Sequence, residues 1–202
     1  MVTVDPVSLR ERKKLKTREA LQDAALQLFA EKGFDHTTIE EIVEACEMSP
    51  RTFFRYFPNK ESVLLGDSDQ KCALLVSALS DRPLEESPMR AVRECVLATL
   101  GGLGHDRERL LVHARIIEET PNLRVYKIES QQTWEEALFD ALRARDELGS
   151  TPAHSEFELR LIASTSVAAL RAALETWLAD GGDLMELARS AFDNIAAGLA
   201  DV

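Results

Sequence analysis

The sequence is poor in cysteine, and its three cysteines form no pattern. Cys46, Cys72 and Cys95 are far apart, and no C-x-x-C pair is present. Disulfide scaffolds need paired cysteines, and zinc sites need ligands at short, regular spacings. The sequence therefore predicts three reduced thiols, with no disulfide framework, no metal site and no cofactor.

Long apolar runs are also missing. A membrane-spanning helix needs about 20 mostly apolar residues, and no stretch approaches that length. The first residues are charged where a signal peptide would be apolar. We therefore expect a cytoplasmic protein without a membrane partner, and 202 residues are enough for one or two domains with a buried core.

Catalytic motifs are absent as well. The sequence has no G-x-S-x-G, no H-E-x-x-H, no glycine-rich phosphate loop and no Cys/His pair, and its four histidines are scattered. A helical lipid or thioester enzyme is an alternative that none of these motifs supports. We predict that the protein is not an enzyme.

Positive charge is lacking overall but not locally. The formal net charge is -11, yet residues 1–60 hold ten Lys or Arg and ten Asp or Glu, against fourteen and twenty-five in residues 61–202. Residues 10–18, RERKKLKTR, carry six bases and one acid. Such a run is typical of an arm attracted to a phosphate backbone, although a solvated helix start has the same composition.

Helical periodicity fills the chain, and no strand pattern is present, so an all-α fold of nine helices is predicted. Four residue pairs with capping-box spacing mark helix starts: Ser8 with Glu11, Thr38 with Glu41, Ser155 with Glu158, and Asp183 with Glu186. The fourth helix is predicted to connect two domains, residues 8–66 and 67–202.

The stretch SPRTFFRYFPNK, residues 49–60, concentrates four aromatics in five positions. It predicts a short helix, because Pro50 suits a first helical position and Pro58 limits continuation. With the preceding helix and a turn of about three residues, it forms a helix-turn-helix at about 37–56. The second helix of that motif lies in the DNA major groove.

Helical angles divide this stretch into two faces. Phe53 and Phe57 are predicted to plug a small core, with Pro50 above them, because so short a helix is unstable alone in water. Arg51 and Arg55 fall on the opposite face. Arg51 is the predicted base reader, since the bidentate Arg to guanine contact is the commonest specific one. A contact to phosphate alone is the alternative.

Hydroxyl, amide and ammonium groups at helix starts and edges are predicted to contact phosphates. The complete set of predicted DNA-binding residues is Thr17, Arg18, Thr37, Thr38, Ser49, Pro50, Arg51, Thr52, Phe54, Arg55, Tyr56 and Lys60.

From about residue 12 to 65, through ALQLFAEKGFDHTTIEEIVEACEMSPRTFFRYFPNKESVLL, the sequence resembles the TetR family of regulators. The resemblance implies three N-terminal helices that bind double-stranded DNA and a C-terminal domain that dimerises and holds a ligand. Pro50 and Arg51 fall where the family contacts bases. The positions where the family contacts phosphate are Thr38, Thr52, Phe54, Tyr56 and Lys60.

Two residues depart from the family pattern. Phe54 stands where the family usually has Tyr, so a hydroxyl contact to phosphate is missing and ring packing remains. Glu47 stands where the turn usually has Gly. If that position needs a positive φ, Glu costs about 1 kcal/mol or more relative to Gly.

The acidic half is predicted to pair with a second copy through its last two helices, forming a two-fold dimer. Packing within one chain is the alternative. The apolar stripes concerned are Leu170, Leu174, Trp177 and Leu178, then Leu184, Ala188, Ala191, Ile195 and Gly198.

Candidate ligand-binding residues are His113, Ile117, Trp134, Leu138 and Arg171. His113 is alternatively a satisfied core histidine, and Trp134 is either core or pocket wall. Arg171 is expected to be partly buried and to need an anion, either a carboxylate such as Glu118 or a ligand.

The segments RTFFRYFPNKESVLLGD, RP at 82, ETPNLR at 119–124 and AALRAALETWL at 168–178 resemble the TetR subgroup with an acyl-CoA-like ligand domain, which includes the mycofactocin-system regulator. This implies a repressor released from a palindromic operator by a lipophilic or acyl-CoA-like effector. A dimeric DNA-binding protein that senses no small molecule is the alternative.

Overall fold

The computed structural model describes residues 9–101, 107–149 and 154–200, and this part of the chain forms nine α-helices and no strand. They are α1 (Leu9–Lys32), α2 (Ile39–Ala45), α3 (Pro50–Tyr56), α4 (Glu61–Ser80), α5 (Pro88–Leu100), α6 (Arg107–Glu119), α7 (Pro121–Leu148), α8 (Glu156–Asp180) and α9 (Leu184–Ala200). The all-helical prediction is confirmed. None of the helices in these ranges is long and apolar enough to cross a membrane.

The pairs predicted at α2 and α8 are complete capping boxes. At α9, the Glu186 N–H donates to Asp183 Oδ1 over 3.2 Å, and Ser8 lies outside the described residues. At α2, the Glu41 backbone N–H donates to Thr38 Oγ1 over 3.2 Å, and the Thr38 N–H donates to the Glu41 carboxylate over 2.9 Å. Ser155 and Glu158 form the same pair at α8, with distances of 2.7 and 3.2 Å. These helix starts were predictable because the partners lie only three residues apart.

The chain divides into two compact units: Met1–Asp67 with Val112–Arg124, and Ser68–Leu111 with Val125–Val202. The boundary falls inside α4, and also inside α6 and α7. The segment 112–124 belongs to the first unit because Ile116, Ile117 and Leu123 are buried in that unit's core. The sequence-based division had grouped that segment with the C-terminal domain.

Aromatic rings anchor α3 in the core of the first unit. Phe53 and Phe57 are fully buried, with their ring centroids 5.6 Å apart. They lie among the buried side chains of α1 and α2, including Phe29 and Ile42. The predicted plug of two rings is therefore present, but Pro50 is exposed and takes no part in it.

The core of the second unit is formed mainly by α5, α7, α8 and α9. Leu184 and Ala188 of α9 are buried in it, and so is Trp177 of α8. For these residues the alternative of packing within one chain is correct. Ile195 is half-buried against the same core, while Gly198 is exposed.

A buried arginine fixes the loop between α4 and α5. The Arg145 guanidinium is 7% exposed and donates to the carbonyls of Arg82 at 2.8 Å, Pro83, and Glu86 at 3.2 Å. The fixed fork of an arginine suits several carbonyls in one loop. Arg145 therefore satisfies backbone acceptors of this loop, where the Pro83 carbonyl also accepts the Glu86 N–H over 3.2 Å.

A second arginine binds the end of a helix in the same way. Arg107 donates to the carbonyls of Trp177, over 3.1 Å, and Leu178, over 2.7 Å. These carbonyls belong to the last turn of α8, where the helix dipole favours a cation. The Trp177 carbonyl also accepts the Gly181 N–H over 2.9 Å. Arg107 thus stabilises the C-terminus of α8.

Candidate nucleic-acid interface and candidate ligand residues

The turn between α2 and α3 determines how α3 is presented. Glu47 has φ +53°, the only positive value at a non-glycine in the described residues. The Met48 N–H donates to the Val43 carbonyl over 2.7 Å, and the Glu47 N–H donates to that of Glu44 over 3.1 Å. These two bonds form a Schellman motif, which places Glu47 in the left-handed position that glycine usually occupies.

The N-terminus of α3 is capped by Ser49. Its Oγ accepts the Thr52 N–H over 3.2 Å and lies 3.0 Å from Thr52 Oγ1. The cap satisfies one of the free N–H groups of the first turn. Both hydroxyls retain the capacity to bond a phosphate oxygen at this helix start.

The outward face of α3 consists of four exposed residues: Pro50, Arg51, Phe54 and Arg55. Phe54 is 56% exposed. The Arg55 guanidinium lies 5.0 Å from the Tyr56 ring centroid, which orients it along the edge of the helix. This exposed face therefore carries two cationic side chains and one aromatic ring, and it is not part of the core.

The start of α2 presents one threonine and buries the other. Thr38 is exposed, whereas Thr37 is 2% exposed and its hydroxyl donates to the Gly33 carbonyl over 2.9 Å. A buried hydroxyl with an internal partner cannot reach a phosphate. The prediction that the Thr37 hydroxyl contacts DNA is therefore wrong.

The carboxylate of Glu41 is strongly stabilised in its charged form. It accepts from Lys32 Nζ over 2.6 Å, and the hydrogen bonds from Lys32 and from the Thr38 backbone lower its pKa to about 2. The same pair raises the pKa of Lys32. The ion pair joins the end of α1 to the start of α2.

Lys60 donates hydrogen bonds to backbone carbonyls of its own chain. Its Nζ donates to the carbonyls of Phe34, over 2.6 Å, and Thr37, over 2.9 Å, and lies 4.3 Å from the Phe34 ring centroid. An ammonium group has three donors, so at most one is left for a phosphate. Lys60 therefore clamps the loop between α1 and α2 to the start of α4.

The predicted contacts on α1 are half-buried. Thr17 Oγ1 donates to the Lys13 carbonyl over 2.9 Å, within the helix. The Arg18 guanidinium lies 5.0 Å from the Phe57 ring centroid. Arg18 therefore packs on the residue that ends α3, which keeps its charge close to the recognition helix.

The five candidate ligand residues divide between the two units. His113 and Ile117 belong to the first, where His113 Nε2 lies 2.6 Å from the Leu64 carbonyl and Ile117 is buried. This geometry is that of a satisfied histidine, the alternative stated above. Trp134 and Leu138 belong to the second unit.

Trp134 is half-buried in the second unit and takes part in a small polar network. Its indole N–H donates to Ser68 Oγ over 2.9 Å, and Ser68 Oγ lies 2.7 Å from Ser130 Oγ. Leu138, one turn further along α7, is 1% exposed. The sequence did not identify the two serines, because Ser68 lies 66 residues from Trp134.

Arg171 contradicts its prediction. It is exposed, and its guanidinium lies 3.5 Å from the side-chain oxygen of Gln131. An exposed guanidinium is solvated by water and needs no buried anion. The expectation of partial burial is therefore wrong.

A cleft of about 420 Å³ in the second unit contains none of these five residues. Its polar lining includes Arg145, already bound to carbonyls, and His154, whose Nδ1 lies 2.6 Å from an Asp146 carboxylate oxygen. These polar groups already have partners within the protein.

Comparison with known proteins identifies the family. A family model described as bacterial regulatory proteins, tetR family, matches residues 21–66, and one described as the MftR C-terminal domain matches residues 86–200. The transcriptional regulator TcmR of Streptomyces glaucescens is 32% identical over 92% of this chain and 84% of its own. The regulator MftR of Mycobacterium tuberculosis is 29% identical over 93% of each chain.

Solved structures of other proteins share this fold. FadR of Thermus thermophilus, a TetR-family repressor solved in complex with lauroyl-CoA, is 26% identical, with a TM-score of 0.57 over 87% of this chain and 91% of that one. FadR of Bacillus halodurans has the same fold, with a TM-score of 0.60 and 21% identity over 88% and 93% of the two chains. The two family models, the full-length relatives and the anchored helix-turn-helix all lead to one assignment: the chain belongs to the TetR family of DNA-binding transcriptional regulators.

Proposed function

We propose that the protein is a homodimeric repressor that leaves a palindromic operator when a lipophilic or acyl-CoA-like molecule binds. The observation that supports the operator contact is the outward face of α3, where Arg51 and Arg55 are exposed while Phe53 is buried. A rigidly anchored helix with exposed guanidinium groups has the chemistry to read guanine in the major groove.

Arg51 is the proposed base reader. The proposed phosphate contacts lie on α1, at the start of α2 and at the two ends of α3: Thr17, Arg18, Thr38, Ser49, Thr52 and Tyr56. The acidic excess of residues 61–202 repels DNA, so it favours approach by the more basic end of the chain. We expect the protein to act in the cytoplasm, where a bacterial chromosome lies.

Dimerisation is proposed through the outward faces of α8 and α9. These helices pack on each other in one chain, and their solvent-facing sides carry small residues that permit close approach: Ala168, Ala172, Ala196, Ala197 and Gly198. A two-fold dimer presents two copies of α3 to half-sites about one helical turn apart. Light scattering of the purified chain tests this, since a monomer at micromolar concentration would contradict it.

The effector is proposed to bind in the second unit beside Trp134 and Leu138. The Trp134, Ser68 and Ser130 network offers a few polar groups next to apolar side chains, the usual composition of a small-molecule site. The complex of T. thermophilus FadR with lauroyl-CoA supports an acyl-CoA as ligand class. Release requires that the effector bind the DNA-free conformation more tightly than the DNA-bound one.

A titration tests the effector and separates it from the alternative. Operator DNA is identified by footprinting the intergenic region beside the gene, and its Kd is measured with acyl-CoAs of increasing chain length. Free CoA and free fatty acids serve as controls. We expect Kd to rise with chain length for the thioesters alone, and the acyl-CoAs to raise Tm without DNA.

A pair of variants locates the effect. Trp134→Phe keeps a ring but loses the indole N–H, so it should weaken the response to acyl-CoA while leaving the affinity for the operator unchanged. Phe157→Ala is a matched control, because Phe157 is 73% exposed in the same unit. If no ligand of the series changes Kd or Tm, the alternative is favoured. The protein would then be a dimeric DNA-binding protein that senses no small molecule.

A further inference from the structure

Phe54 is a large apolar side chain in an unusual place. In the described residues of the first unit, Leu15 and Phe54 are the only large hydrophobic side chains that are exposed, and Phe54 at 56% is the more exposed of the two. Its ring packs edge-on against Phe53, with centroids 5.6 Å apart and planes at 85°. Since Phe53 is fully buried, the exposed ring is held in place by the core.

A phosphate contact does not account for this ring. Phe54 has no hydroxyl, so it cannot donate a hydrogen bond to a phosphate oxygen. A single exposed apolar residue is common on protein surfaces, but this ring is fixed against the core and lies on the face of α3 that is proposed to meet DNA. The neighbours of Phe54 on the outward face of α3 are Arg51 and Arg55, which are the groups that a DNA-facing surface needs.

The major groove contains one apolar group at the base edges, the 5-methyl group of thymine. We infer that Phe54 reads a thymine methyl group in each operator half-site, an inference that relies on the proposed orientation of α3. Phe54 is then a specificity-determining residue alongside Arg51. The two residues select different bases, because one offers hydrogen bonds and the other offers only contact area.

The spacing of the two residues limits where this thymine lies. Residues three apart on one helix have Cβ atoms about 5 to 6 Å apart, and successive bases on one strand are about 3.4 Å apart. Phe54 therefore meets a base pair one or two steps from the one that Arg51 contacts. The half-site is predicted to contain a thymine within two base pairs of the guanine read by Arg51.

Deoxyuridine substitution tests the inference, because it removes the 5-methyl group and keeps the base pair. Each thymine of the footprinted operator is replaced in turn, symmetrically in both half-sites, and Kd is measured for the full-length protein. One position near the Arg51 guanine should raise Kd about fourfold per half-site, the value of one buried methyl group. Phe54→Ala should bind that substituted operator and the unsubstituted one equally well.

Two further variants serve as controls. Phe54→Leu keeps apolar contact and should stay sensitive to the methyl group, whereas Arg51→Ala should lose discrimination at guanine and keep its sensitivity to the thymine methyl. Because the deoxyuridine series on the wild-type protein is informative by itself, a variant that fails to fold does not prevent a decision.

The possible outcomes are distinct. A flat deoxyuridine series on an operator that is specifically bound overturns the thymine inference and leaves the proposed function intact. Equal losses for the wild type and Phe54→Ala at the same position overturn it as well, because the methyl effect then does not depend on the ring. Absence of any preference for the operator over scrambled DNA overturns both proposals.

Discussion

Replacing Glu47 with glycine should stabilise the protein. The Glu47 backbone has φ +53°, in the left-handed region where an L-residue with a Cβ is disfavoured by about 1 to 2 kcal/mol. Glycine removes that cost, but its greater freedom in the unfolded chain returns roughly 0.5 to 1 kcal/mol. The net gain is about 0.5 to 1 kcal/mol, which raises Tm by roughly 1 to 4 °C in a protein of this size.

Two control variants separate backbone strain from charge. Glu47 follows the C-terminus of α2, where a carboxylate meets the negative end of the helix dipole. Glu47→Gln removes this charge and Glu47→Ala removes the charge and most of the side chain, while both keep the Cβ that causes the strain. We therefore expect the glycine variant to be more stable than either control, by a margin that does not change with salt.

The assay is urea unfolding followed by far-UV circular dichroism, with operator affinity measured in parallel. Because the Schellman bonds involve only backbone atoms, the glycine variant should bind the operator as the wild type does. A glycine variant that unfolds at the same urea concentration as Glu47→Ala, or at a lower one, would refute the strain argument. It would mean that the freedom of glycine in the unfolded chain outweighs the strain at this turn.

The remaining predictions concern charged side chains. Arg51→Ala should weaken binding to the operator by roughly 1 to 3 kcal/mol more than binding to scrambled DNA, and equal losses on both would reduce Arg51 to a phosphate contact. Lys60→Met should lower Tm, because two carbonyls lose a charged donor, and should leave the salt dependence of operator binding nearly unchanged; a decrease of about one unit in the slope of log K against log salt would indicate a phosphate contact instead. Glu41→Gln should destabilise the protein at pH 7. Since the pKa of Glu41 is lowered to about 2 in the folded state, its contribution is complete above about 4.5 and lost as the pH falls through about 2, so the wild type and the variant should converge in acid. Arg145→Met should cost at least about 3 kcal/mol in urea unfolding, and Arg145→Lys an intermediate amount, because three carbonyls lose a buried donor; a loss below 1 kcal/mol would show that water replaces it.

The features that the sequence predicted well depend on near neighbours in the chain. Capping boxes, a proline at the start of α3 and the angle between Phe53 and Arg51 all involve residues within one or two turns of each other. Helix starts and the buried face of α3 follow from them directly. A positive φ at Glu47 was stated only as a condition, from the glycine that the family usually has there, and the structure fulfils it.

The features that the sequence missed depend on partners far along the chain. Lys60 reaches the carbonyl of a residue 26 positions away, and Arg145 reaches one 63 positions away. No periodicity marks such a pair, since one lysine or arginine serves equally well as a surface charge or as a carbonyl ligand. The burial of Thr37 was missed for a different reason, since its hydroxyl bonds to Gly33, only four residues away. A threonine before a capping box has the same local sequence whether it faces water or the core.

The dependence of α3 on its two buried rings has a genetic consequence. Seven residues are too few to remain helical without Phe53 and Phe57. The geometry of the outward face of α3 therefore depends on the core below it. A screen for mutants that have lost control of the target genes should therefore return two kinds of lesion. One kind alters outward side chains and changes sequence preference, and the other thins the interior around Phe29 and abolishes recognition of every sequence alike.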